Sequence, residues 1–147
     1  MLDNVYPVTI FDNFLTYEFR SIGPNGAIRK IVRYQEYSRC GYYNLGFGDV
    51  DPDTGNESDL HVTNNGDSEK VLRTVTSTLY TFTDNYPDAF VLASGSTRAR
   101  TRLYRIGISN NLEAIEKDFN LLGYLDDGWQ KFVRGTDYDL FLVKRKS

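Results

Sequence analysis

Cysteine, histidine, methionine and tryptophan occur once each in the 147 residues, and proline four times. A single thiol, Cys40, forms no internal disulfide and builds no cysteine-based zinc site. A single imidazole, His61, excludes every motif that needs two histidines on one metal. No apolar run approaches the roughly 20 residues that a membrane helix requires, so no membrane partner is expected. A dominant charge is missing too. The 17 basic and 20 acidic residues give a net charge of −3. Nothing therefore draws the whole molecule to nucleic acid, and any such contact needs a local patch. The opening MLDNVYPVTIFDN has neither a basic n-region nor an apolar h-region. No signal peptide is expected, and the expected location is cytoplasmic.

Several catalytic fingerprints are also absent. There is no G-x-x-x-x-G-K phosphate loop, and the window from Ala93 reads ASGST rather than the G-x-S-x-G of a hydrolase elbow. Leu92 to Arg100 is similar to the Gly-Ser turn of minimal nucleotidyltransferases. Those enzymes need two carboxylates about ten residues downstream to hold magnesium, and here the stretch 106–112 is IGISNNL, without an acid. No cofactor fingerprint remains, and no cofactor is expected.

What is present is aromatic: 11 Tyr and 9 Phe bring the aromatic share to 14%, a load that suits pleated sheet. The length fits one domain, 1–147, with a core of its own. Leu15 to Ser21 reads as a strand running into the turn Gly23-Pro24-Asn25-Gly26. Ile28 to Tyr37 reads as its hairpin partner with one wet face, and Tyr42 to Phe47 as a third strand. Residues 49 to 69 form a polar, acidic loop with a short strand at Leu60 to Thr63. Val71, Leu72, Val75, Leu79 and Phe82 keep helical spacing over 68–84, with Asp67 as N-cap. Phe90 to Ala93 is a short apolar strand. A second helix follows from about Arg98 to Ile108, capped by Ser96 or Thr97, and a third carries Leu112, Ile115 and Phe119 on one face. Gly123 to Phe132 and Tyr138 to Lys144 read as a closing pair of strands. The expected fold class is α+β: an antiparallel twisted sheet from an N-terminal meander and C-terminal strands, covered on one face by about three helices.

One junction concentrates chemistry. In FVLASGSTRARTRLYR, Phe90 to Arg105, a strand passes through Gly95, Ser96 and Thr97 into a helix with four arginines. A helix N-terminus offers unpaired N–H groups and a positive dipole end, and a glycine lets a ligand approach the backbone. At about 100° per residue, Arg98, Arg102 and Arg105 share a face beside Tyr104, and Arg100 lies opposite. The ridge reads as a grip on phosphate, with Ser96 and Thr97 donating hydrogen bonds and Tyr104 stacking on a base. The competing reading has these arginines paired with the acidic loop or simply solvated. Asp49, Asp51 and Asp53 alternate like the first ligands of a calcium loop, but Thr54 stands where that loop needs glycine and Leu60 where it needs glutamate. His61 is a candidate general base, with Asp59 or Asp67 to orient it.

At YNLGFGD (Tyr43 to Asp49), TNNGDSEKVLRTV (Thr63 to Val75) and GSTRARTRLYR (Gly95 to Arg105), with SIGPNGAIRKIV (Ser21 to Val32) upstream, the chain resembles a family of small bacterial proteins. That family is seen mostly in Bacteroidetes and is a domain of unknown function. The resemblance implies a standalone protein of this length and supplies no activity and no catalytic residues. Three function classes stay open at this point. The first is a nucleotide- or RNA-binding protein using the Gly95–Arg105 junction. The second is a protein-interaction module, a homodimer among them, using its aromatic sheet. The third is a small toxin-like nuclease using His61 and an arginine.

Overall fold

The computed structural model describes residues 2–38, 40–55, 57–58, 65–95 and 97–147. Twelve elements follow one another: β1 (Thr9–Phe11), β2 (Thr16–Gly23), β3 (Gly26–Ser38), β4 (Tyr42–Val50), β5 (Glu57–Ser58), α1 (Ser68–Asn85), β6 (Phe90–Ala93), α2 (Arg98–Asn110), α3 (Leu112–Asp118), β7 (Phe119–Leu125), β8 (Gly128–Lys131) and β9 (Leu140–Arg145). The strands make one open sheet in the order β1-β2-β3-β4-β6-β9-β7-β8, with β5 paired to the far end of β4. The fold is α+β with three helices. Every pairing is antiparallel except β4 with β6, which run parallel because α1 carries the chain back across the sheet between them.

The long β2–β3 hairpin closes at Gly23↔Gly26 around Pro24 and Asn25, as the turn residues predict. Alternation then sorts the side chains. Tyr17, Val32 and Phe47 sit opposite one another on the buried face, as do Tyr34 and Leu45, while Arg29, Ile31 and Arg33 face the other way. The buried face meets the helices. Tyr34 stacks on Phe82 of α1 at 4.1 Å between ring centroids, and Phe47 meets Tyr104 of α2 edge-on at 5.5 Å. Such ring pairs add about 1 kcal/mol each beyond the area they bury. β6 is apolar throughout because it runs between β4 and β9 in the middle of the sheet.

The C-terminal part differs from the sequence expectation. Gly123 to Phe132 is not one strand: the chain turns at Asp126 and Asp127, both at positive φ, to form the β7–β8 hairpin. Two consecutive left-handed residues twist the turn the way paired strands twist. β9 then inserts between β7 and β6. Phe119, expected on the third helix, is the first residue of β7 and is buried there. The expected strand at Leu60 to Thr63 lies outside the described residues.

Two of the sequence motifs hold each other in place. Asn65, 1% exposed, accepts from the Asn25 N–H at 2.7 Å and donates to the Gly26 carbonyl at 2.9 Å, so it caps the hairpin turn from the side. Asp67 stands at the N-cap position of α1, but its carboxylate does not cap the helix. It accepts hydrogen bonds from Ser21 and Tyr6 instead. Gly23 is required by this contact, because a Cβ there would lie 1.9 Å from the Asn65 carbonyl oxygen. Gly23→Ala should therefore cost about 2 kcal/mol, the usual order for overpacking, read from the urea midpoint. An unchanged midpoint would show that the Asn65 segment moves aside freely.

Buried phenols give the fold a pH limit. Burial raises the Tyr17 and Tyr34 hydroxyls above the ordinary value of 10, and burial with the Asp118 carboxylate pushes Tyr80 up to about 12. As the pH rises through 10 and onward, the unfolded chain releases phenolic protons that the folded chain keeps. Stability from these groups is complete below pH 10 and is lost above it. Thermal unfolding should show a falling midpoint across this window, with the 295 nm phenolate absorbance of these tyrosines appearing only as the protein unfolds. A midpoint that stays level to about pH 11.5 would contradict the burial assignments.

Candidate functional site

The strand–helix junction forms at the carboxyl end of β6, where the sheet opens. β4 pairs with β6 only over Tyr42 to Leu45. From Gly46 onward β4 lacks that neighbour, because the chain leaves β6 at Ser94 and turns into α2. Thr97, in extended conformation, is the N-cap: its hydroxyl oxygen accepts from the Arg100 N–H at 3.2 Å. Thr101 ties the first turn back to the loop, accepting from the Gly95 N–H at 3.0 Å and donating to the Thr97 carbonyl at 3.1 Å.

Gly95 has a packing role. A Cβ on it would lie 2.1 Å from the Arg100 Cβ and 2.5 Å from the Thr101 nitrogen. The protein itself occupies the space that the missing side chain leaves: the first turn of α2 packs down onto the glycine. Gly95 is a packing requirement of the junction, and its remaining surface lines the clefts on both sides of it.

The arginines separate as the helical wheel says, with the roles reversed. Arg98 and Arg102 are exposed. Arg105 pairs with Asp137, whose side chain is 90% exposed, a surface contact worth at most about 1 kcal/mol. Together with Asp139 these residues flank a trough of about 430 Å³ on the β9 side of the junction. Tyr104 does not join that ridge as a stacking platform. It is 5% exposed, set against Phe47, and its hydroxyl donates to the Leu45 carbonyl at 3.3 Å.

Arg100 points inward. It is 4% exposed, and its Nε and Nη1 atoms are buried with no hydrogen-bond partner among the described residues. Its guanidinium carbon lies 4.8 Å from the centroid of the Phe47 ring, a cation–π contact that partly offsets the lost hydration. A buried cation without a counter-charge is costly, and native proteins rarely keep one without a use for it. Arg100 lines a cleft of about 370 Å³ on the β4 side, together with Arg33, Gln35, Asn44, Gly46 and Ser94. That volume is within the range of small-molecule sites. The sequence carried a signal for this. Arg100, Tyr104 and Gly107 recur at i, i+4 and i+7, and these are the buried positions of α2. An arginine heading the apolar stripe of an amphipathic helix is the anomaly to notice.

The three aspartates do not come together as a calcium site. Asp49 is a β4 residue, 6% exposed, whose carboxylate is committed to the buried Lys30 ammonium. Asp51 forms a local turn, accepting from the N–H groups of Asp53 at 2.8 Å and Thr54 at 3.2 Å. No group of three or more His, Cys, Asp or Glu side chains is placed to hold a metal ion among the described residues. His61 and Ser96 lie outside the described residues. No helix of the described chain is long and apolar enough to cross a membrane.

The family model described as "Family of unknown function (DUF6934)" matches residues 3–146. No curated protein and no solved structure matches the chain.

Proposed function

The chain belongs to the DUF6934 family, a family of unknown function, so its activity has to be read from its own geometry; we propose that it binds a phosphate-bearing ligand, nucleotide or RNA, in the cleft beside Arg100. The observation that carries this reading is the buried, unpartnered guanidinium of Arg100 at the start of α2. A dianionic oxyacid supplies what that group lacks, and the positive end of a 13-residue helix acts with it. Bidentate charge-assisted hydrogen bonds to phosphate are worth roughly 1.5–3 kcal/mol each, enough for a specific site. The exposed arginines Arg98 and Arg102 contribute attraction on approach rather than grip, because water and salt screen them.

Calorimetric titration with inorganic pyrophosphate, with succinate as a carboxylate control, tests the reading. Pyrophosphate should bind at low salt and succinate at least about tenfold more weakly. The double variant Arg98→Ala, Arg102→Ala should keep the pyrophosphate affinity within about threefold, since neither side chain lines the Arg100 cleft. Absence of binding by the wild type, or its loss in the double variant, would refute the assignment to Arg100.

A further inference from the structure

Resting on that reading, we propose that the cleft takes a nucleoside phosphate whose phosphate meets Arg100 and whose base lies over Gly46, with its edge read by Gln35 and Asn44. The first observation is Gly46 itself. Its φ is not positive, and a Cβ built on it meets none of the described residues within 4 Å. Neither backbone conformation nor packing against the described residues requires a glycine there, and glycine in a strand interior costs stability relative to a residue with a side chain. Gly95, by contrast, is a glycine that the fold needs. What Gly46 does provide is a flat, open stretch of cleft wall.

The second observation is what surrounds it. Arg33 lies directly across from Gly46, and Gln35 directly across from Asn44, one rung further along the same face of β3 and β4. All four line the cleft. Successive rungs on one face are about 6.8 Å apart, room for a flat ring between the amide pair and the cationic end. Carboxamides are the side chains that offer a donor and an acceptor together to a base edge, and a base rests well where no Cβ stands under it. The cleft therefore has a charged end, a bare floor and a pair of amides. A phosphate ion alone fills only a fraction of about 370 Å³. RNA fits less well than a mononucleotide. A strand would have to run on across the neighbouring trough, where Asp137 and Asp139 sit among the arginines.

The test compares adenosine and guanosine 5′-monophosphates with ribose 5-phosphate and pyrophosphate by calorimetry on the wild type and on Gly46→Val, Gln35→Ala and Asn44→Ala. At least one nucleotide should bind about tenfold or more tightly than ribose 5-phosphate. Gly46→Val should fold normally and bring the nucleotide down to the ribose 5-phosphate level. Gln35→Ala and Asn44→Ala should each lower nucleotide affinity by about fivefold to tenfold. Equal binding of nucleotide and ribose 5-phosphate by the wild type overturns the proposal, as does nucleotide binding unaffected by Gly46→Val. So does an oligoribonucleotide that binds more tightly than either mononucleotide. In each of those cases retained pyrophosphate binding leaves the Arg100 anion site standing. If pyrophosphate also fails to bind the wild type, the anion site falls and the nucleotide proposal falls with it.

Discussion

Arg100→Met is expected to abolish pyrophosphate binding, by about 100-fold or more, while leaving the protein as stable as the wild type or more stable by about 1 kcal/mol. The two effects separate a ligand-binding arginine from a structural one. A structural arginine is satisfied by the protein, and its removal leaves partners stranded. Among the described residues the Arg100 guanidinium has a cation–π contact with Phe47 and no ion pair, and two of its nitrogens are buried without partners. Methionine keeps the length and the apolar contact with Phe47 and removes the desolvation cost. Functional groups held at a cost to stability are the usual origin of variants that are inert but more stable. Urea unfolding and calorimetry on one preparation give both numbers. A loss of more than about 2 kcal/mol of stability would mark Arg100 as part of the framework instead.

Asp49→Ala should be among the most damaging substitutions outside the site, costing about 3–5 kcal/mol. Lys30 and Asp49 are cross-strand partners on β3 and β4, their side chains 1% and 8% exposed, and their charged ends are in contact. Truncating the acid leaves an ammonium group in the core with its main counter-charge gone. Replacing both, as Lys30→Met with Asp49→Leu, should recover most of the loss, because two apolar side chains on adjacent strands pack without charge to hydrate. Urea midpoints of the two variants decide it. If Asp49→Ala were nearly neutral, the pair would have to be solvated in solution and the burial of that rung would be wrong.

The local signals in this sequence were strong where a period or a turn residue made them. The stripe from Val71 to Phe82 marks α1 within a residue of its observed end, and the Pro24–Asn25 turn places the β2–β3 hairpin. Phe90 to Ala93 reads as a central strand because it has no wet side. Long-range pairing was not legible. Nothing local in Leu140 to Arg145 shows that it inserts between β6 and β7, or that β6 runs parallel to β4. Asp126-Asp127-Gly128 is a turn signal that splits the run from Gly123 to Phe132 into two strands. Lys30 illustrates the same limit. In Ile28 to Tyr37 it looks like one more wet residue, yet the alternation that buries Val32 and Tyr34 buries it too, and only the pairing with β4 brings Asp49 opposite.

The site was half visible. The junction and its cap are legible locally, since a strand followed by Gly-Ser-Thr and arginines is a local pattern. The local pattern points to the Arg98, Arg102 and Arg105 face of α2, because charges are ordinarily solvated, and leaves Arg100 as the odd one out. Which face of a helix is buried depends on the sheet it packs against, and for α2 that means Phe47 and Leu45, more than fifty residues earlier in the chain. The contribution of Gly46 was likewise invisible, because a glycine needed for emptiness and one needed for a turn look alike in a sequence.

Crystals of the protein equilibrated with selenate, a phosphate mimic with an anomalous signal, test most directly whether Arg100 awaits an anion. The account predicts an anomalous peak within hydrogen-bond reach of the Arg100 guanidinium, in the cleft beside Gly46 and Ser94. A carboxylate of the chain itself found against those nitrogens, with selenate only on Arg98 or Arg102 or nowhere, would contradict it.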